Sequence, residues 1–135
     1  MTNSRPVALV TGASSGIGRA AAEALSDAGY SVVGTSRNAA NSKPLDGVTF
    51  IDLDVSSDES VGTAVAQVIE RFGRIDLLVN NAGIGGSGAA EETSVDQAQR
   101  IFDTNVFGVT RTTRAVLPHM RAHGGGRIVN VSSVL

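Results

Sequence analysis

Cysteine is missing from all 135 residues, which excludes disulfides, thiolate chemistry and any cysteine-ligated metal centre. Aromatic residues amount to 4%, too few for a surface that stacks bases. The 11 basic and 13 acidic residues leave a net charge of −2 with no basic stripe, and such a stripe is the footprint of a nucleic-acid partner. No apolar run reaches membrane-spanning length, so no membrane partner is expected. Met1 to Pro6 is short and polar, lacks the form of a signal peptide and leads straight into a structural strand, so the expected location is cytoplasmic. The two histidines, His119 and His123, share a helical spacing without a third ligand nearby. They read as a solvated pair at a helix end, and no metal is expected.

What the chain does have is 16 glycines and 41% hydrophobic residues, the make-up of one tightly turned domain over residues 1–135 with a core of small aliphatic side chains. The glycines are most telling in Val7-Ala8-Leu9-Val10-Thr11-Gly12-Ala13-Ser14-Ser15-Gly16-Ile17-Gly18. An apolar strand breaks there into a glycine-rich turn and reopens as a helix, which is how a protein holds a dinucleotide pyrophosphate. Gly12 permits the tight exit from the strand, Gly16 lets backbone approach the phosphates, and Gly18 lets the helix pack close to the sheet. The helix N-terminus then offers unpaired N–H groups and the positive end of its dipole to an anion. Ile17, Ala20, Ala21, Ala24, Leu25 and Ala28 recur on one predicted face, with Gly29 at the position of a C-terminal cap.

Strand and helix signals alternate onward without repeat or linker, and alternation predicts a parallel sheet. Strands are expected at Ser31 to Thr35, Val48 to Asp52, Leu77 to Asn80 and Arg127 to Val131, with a short polar connection from Asn38 to Gly47. Ser56 with Glu59 reads as a capping box before the face of Val61, Ala64, Val65, Val68, Ile69 and Phe72, closed by Gly73. A glycine-rich loop, Asn81 to Thr93, precedes a second cap at Ser94 and Gln97. Val106, Val109, Thr110, Thr113, Leu117 and Met120 carry the next face, which Pro118 is expected to bend or end.

Thr11-Gly12-x-x-x-Gly16-x-Gly18, Asp54-Val55, Asn80-Asn81-Ala82-Gly83, Asn105 and Asn130-Val131-Ser132-Ser133 occur in this order along nearly the whole chain. Together they resemble the short-chain dehydrogenase/reductase family. The resemblance implies an α/β fold, a Rossmann-like doubly wound parallel sheet in the order 3-2-1-4-5, expected here to be truncated after the fifth strand. It also implies hydride transfer between a nicotinamide cofactor and a small-molecule alcohol or carbonyl substrate, with a homo-oligomer as the expected assembly.

By the same resemblance, cofactor-binding positions are Thr11, Gly12, Ser14, Ser15, Gly16, Ile17, Gly18, Ser36, Arg37, Asp54, Val55, Asn81, Ala82 and Gly83. Asp54 resembles the carboxylate that accepts from the adenine amino group, with Val55 backbone beside the ring; on the residues alone it is also an ordinary aspartate approaching a helix. Asn80 has a second use in pinning neighbouring strands. Asn105 resembles the residue that orders a water in a proton relay, and is equally a polar interruption of a helix. Ser133 resembles the catalytic serine that polarises the substrate oxygen.

Cofactor choice turns on the end of the second strand, where an NAD site needs a carboxylate. Thr35-Ser36-Arg37 stands there instead, and a guanidinium grips a 2′-phosphate, so NADP(H) is expected over NAD(H). The family's proton donor, a tyrosine, and the lysine four residues on that lowers its pKa both lie beyond its serine, whereas the one tyrosine here is Tyr30 and the one lysine Lys43. Two classes therefore stay open: an oxidoreductase whose 135 residues alone are inactive, and a non-catalytic nucleotide-binding or interaction module. The missing later strands also predict lost cover over Leu77, Leu78, Val79, Ile128 and Val129.

Overall fold

The computed structural model describes residues 5–86 and 88–133. Its first strand, β1 (Val7–Val10), is buried along its whole length, as an unbroken apolar run must be when helices cover both faces of a parallel sheet. Alternation divides these four residues: Val7 and Leu9 enter one core, Ala8 and Val10 the other. The five strands β1, β2 (Ser31–Ser36), β3 (Val48–Asp52), β4 (Leu77–Asn80) and β5 (Arg127–Asn130) form one sheet in the order β3-β2-β1-β4-β5. Every pairing is parallel, with Leu9 beside Val33 on one side and Leu78 on the other. The fold is therefore a Rossmann-like doubly wound α/β sheet.

Helix α1 (Gly16–Asp27) buries Gly18 and Ala22, so the contact face lies one residue away from the predicted one. Ile17 is 66% exposed, and Ala20, Ala24 and Ala28 are exposed with it. The phase is set by Gly18, because only a residue without a side chain fits at the closest approach of helix to turn. Helix α2 (Asp58–Phe72) is capped by Ser57, whose hydroxyl accepts from Ser60 N at 3.1 Å. The predicted cap, Ser56, instead turns back to Asp54, which delays the helix by one residue. Gly73 closes α2 in the left-handed conformation, φ 80°.

Ser94 and Gln97 form the expected reciprocal cap of α3 (Val95–Phe102). A π-helical turn, Asp103–Phe107, joins it to α4 (Gly108–Ala122). That wider turn shifts the helical phase, so α4 buries Gly108, Thr112, Val116 and Met120, while Val106 and Thr110 stay exposed. The helix does not end at Pro118 but runs on to Ala122. Pro118 sits on the exposed side while Val116 and Met120 hold the packed one.

Helices α2 and α4 pack on one face through Val61, Ala64, Val65, Val68, Val116 and Met120. Helix α1 covers Ala8, Val10, Leu77 and Val79 on the other. The expected loss of cover is thus confined to β5. Leu77, Leu78 and Val79 remain 7%, 0% and 6% exposed, because they share clusters with β1 and its covering helices, whereas Val129 is 48% exposed. Among the described residues no helix is long and apolar enough to cross a membrane.

Candidate functional site

The turn that leaves β1 is built against the segment that leaves β4. Thr11 is buried, and its hydroxyl accepts from the backbone N–H groups of Asn81 and Ala82 at 3.0 and 2.9 Å. The Asn81 side-chain amide donates to the carbonyl of Gly12 at 3.0 Å. Gly12 takes φ 64°, and a Cβ there would stand 2.8 Å from the Ala82 Cα. A Cβ on Gly18 would run into the Gly12 carbonyl and the Asn81 amide. The two glycines therefore let three backbone segments converge.

Helix α1 starts at this turn without a side-chain cap among the described residues. Ser15 has the extended conformation of a cap but makes no side-chain capping bond, and the first turn holds no acidic residue. Nothing lies within 4 Å of the place a Gly16 Cβ would occupy. The turn thus presents a helix N-terminus to open space, an arrangement that suits an anion.

Beside it lies a cavity of about 720 Å³, at the point where the strand order runs outward in both directions from β1 and β4. Gly12, Ser14, Ser15, Ser36, Arg37, Asp54, Val55, Asn81, Ala82 and Gly83 line it. The other expected cofactor positions, Thr11, Gly16, Ile17 and Gly18, are not on its wall; Thr11 and Gly18 are buried behind the turn, and Ile17 faces solvent.

The far end of the cavity is polar and charged. One oxygen of Asp54 accepts from Ser56 Oγ at 2.6 Å and from Ser56 N at 3.0 Å. These bonds hold its carboxyl below the usual range against a smaller opposing effect of burial, helped by the charges of Arg37 and Arg111. The second Asp54 oxygen has no hydrogen bond among the described residues. Arg37 is exposed and likewise makes no hydrogen bond or ion pair among them. The Ser36 hydroxyl accepts from Asn38 N at 3.1 Å.

Asn105, in the π-helical turn, grips one residue with both ends of its amide. It accepts from Ile84 N at 2.8 Å and donates to Ile84 O at 2.7 Å. Asn80 is buried, donates to Asn130 at 3.0 Å and to Thr113 at 3.3 Å, and accepts from Thr112 at 2.6 Å. It therefore ties β4 to β5 and α4. Ser132 and Ser133 follow β5, are exposed, and do not line the cavity.

Sequence reasoning missed part of the wall: Asn38, Asn41, Ser42, Ile84, Arg100, Asp103 and Thr104 also line it. Asn41 belongs to a short 3₁₀ turn, Ala39–Asn41, within the β2–β3 connection. Arg111 was missed too, although it bonds Asp103, Asp58 and the Val55 carbonyl. No local motif announces these neighbours: Asn38, Asn41 and Ser42 reach the wall through the folding of the β2–β3 connection, and Arg100, Asp103, Thr104 and Arg111 come into place only after α3, the π-helical turn and α4 dock on the sheet.

The sequence matches the family model described as short chain dehydrogenase over residues 6–135. It is 43% identical over 128 residues to a 3-ketodihydrosphingosine reductase of Bacteroides thetaiotaomicron, covering 95% of this chain and 47% of that protein. The fold resembles the crystal structure of a short-chain dehydrogenase from Streptomyces avermitilis with a TM-score of 0.89 and 47% identity, covering 95% of this chain and 50% of that one. It also resembles a 3-ketoacyl-(acyl-carrier-protein) reductase from Brucella melitensis complexed with NADH, with a TM-score of 0.88 and 36% identity, covering 95% and 57% of the two chains. The chain spans about half the length of the curated relatives it matches.

Proposed function

The chain belongs to the short-chain dehydrogenase family, and from that premise we propose that it holds NADP(H) for hydride transfer between nicotinamide and a small alcohol or carbonyl compound. The observation that carries this reading is the cavity wall itself. It brings together Ser15 at the uncapped start of α1, the Arg37 guanidinium, which makes no hydrogen bond among the described residues, and the Asp54 carboxylate, one oxygen of which is bonded to Ser56.

The residues fit the parts of a dinucleotide. Gly12, Ser14 and Ser15 face the pyrophosphate, with the start of α1 just behind them to stabilise its charge. Asp54 accepts from the adenine amino group through a carboxylate that is ionised at neutral pH and that its bonds from Ser56 hold lower still. Arg37 and Ser36 hold the 2′-phosphate, a contact that NAD(H) cannot make. Asn81, Ala82 and Gly83 lie under the cofactor, where larger side chains would clash. NADP(H), when bound, supplies or takes up the hydride.

On the substrate side, Ser133 donates to the oxygen that gains negative charge, and Asn105 belongs to the proton relay. Proton transfer needs a further acid, and a serine hydroxyl is too weak to supply it. Tyr30 precedes β2, Lys43 lies in the β2–β3 connection, and Ser133 follows β5. In a parallel sheet Tyr30 and Ser133 are therefore at opposite ends of the strands, and Lys43 is beyond the far side. The 135 residues by themselves consequently act as a binding module without turnover.

Isothermal titration with NADPH and NADH tests the reading. One charge-assisted contact is worth about 1.5–3 kcal/mol, a preference for NADPH of roughly tenfold to a hundredfold. Equal affinities would remove the NADP(H) assignment, and binding of neither would remove the cofactor site.

A further inference from the structure

Arg111 is heavily engaged beside the Asp54 end of the cavity, yet it is not itself one of the residues that line it. Its guanidinium makes four hydrogen bonds: to Asp58 Oδ1 at 2.8 Å, to the carbonyls of Val55 and Asp103 at 3.0 Å each, and to Asp103 Oδ1 at 2.6 Å. The arm to Asp58 contributes little, because that carboxylate is 91% exposed. The two carbonyl contacts are part-buried and join backbone from different halves of the chain. Val55 and Asp103 both line the cavity. The same junction is fitted from the helix side, since a Cβ on Gly108 would stand 2.7 Å from Val55 Cγ2.

We infer that Arg111 is a positioning residue for adenosine binding: by holding the Val55 carbonyl and the π-helical turn with one guanidinium, it fixes the gap between the two walls that enclose the base. This rests on the reading that the cavity takes the adenosine half of a dinucleotide. Methionine in its place has no donor. A lysine ammonium is a single point that cannot span both carbonyls and the Asp103 carboxylate. Either substitution frees the two walls to move apart.

The test is titration of 5′-AMP, NADPH and NADH into the chain and into Arg111→Met and Arg111→Lys, with circular dichroism melts alongside. In a folded variant all three ligands should bind about tenfold more weakly, the loss of one charged contact's worth of preorganisation. The NADPH to NADH ratio should stay that of the parent chain, because Arg37 is untouched. A purely structural role would lower the melting temperature without moving affinity below it. Unchanged AMP affinity in either folded variant overturns the inference, as does failure of both variants to fold, which would assign Arg111 to the fold alone. If the parent chain binds none of the three ligands, the cofactor reading itself is refuted and the inference falls with it.

Discussion

The Asn81 side chain donates to the carbonyl of Gly12 at 3.0 Å, so the glycine-rich turn after β1 is held in shape by a residue that follows β4. Asn81→Ala leaves that carbonyl without its donor in a part-buried place. A loss of about 1–3 kcal/mol is expected, measured by urea denaturation, together with weaker NADPH binding. Unchanged stability would show that Thr11 alone holds the two segments together.

Gly18 is packed against the same junction, where a methyl group would collide with the Gly12 carbonyl and the Asn81 amide. In Gly18→Ala the Asn81 amide can swing aside only by giving up its bond to Gly12, and the nearest group, the Gly12 carbonyl, is backbone that cannot. Despite alanine's better helix propensity, the substitution should destabilise by roughly 1–3 kcal/mol, the usual range for overpacking. A gain in melting temperature would mean that the helix tilts away freely.

Arg37→Asp should reverse cofactor preference. The carboxylate repels a 2′-phosphate and accepts from ribose hydroxyls, so NADPH affinity falls and NADH affinity rises in calorimetric titration. Loss of both together would place Arg37 in the fold rather than in selection.

Acid sensitivity should centre partly on Asp76, just before β4. Burial pushes its carboxyl upward, but bonds from Arg74 at 2.8 and 2.7 Å and from Val7 N at 2.8 Å, with the Arg74 charge, outweigh that and leave its pKa lowered. A lowered folded-state pKa contributes stability that is present above the unfolded value of about 3.9 and is lost as pH falls through the folded one. Asp76→Asn should therefore flatten the acid limb of a stability–pH curve. An unchanged limb would assign acid unfolding to other carboxylates.

Self-association is expected at the open edge of β5, where Val129 and Val131 are 48% and 40% exposed. An exposed strand edge pairs with another chain unless it is covered. Light scattering at rising concentration should show mass growing beyond the monomer, and charged residues at 129 and 131 should suppress it. A monodisperse monomer throughout would remove this edge as an association surface.

The strands were legible because they carry short apolar runs bounded by turn residues; β3 and β4 match their expected bounds. The helix faces were less so, for two physical reasons. Gly18 sets the packed side of α1 but carries no hydrophobic signal, so periodicity favoured Ile17, which is exposed. The π-helical turn at Asp103–Phe107 changes phase within what reads as one continuous helix, hiding the burial of Thr112 and Val116. At the site, the motif positions on the cavity wall were readable as motifs, whereas Arg111 became visible only once α4 had docked beside Val55.

The bonds that join the Thr11–Gly12 turn to Asn81 and Ala82 all run between uncharged groups, whereas the adenosine end is arranged around Arg37, Asp54, Asp103 and Arg111. Added salt screens the second set and leaves the first almost untouched. The two ends of one groove thus differ in their dependence on ionic strength: the glycine-rich turn keeps its shape from dilute buffer to concentrated brine, while any selectivity that rests on Arg37 fades as the solution becomes more conductive.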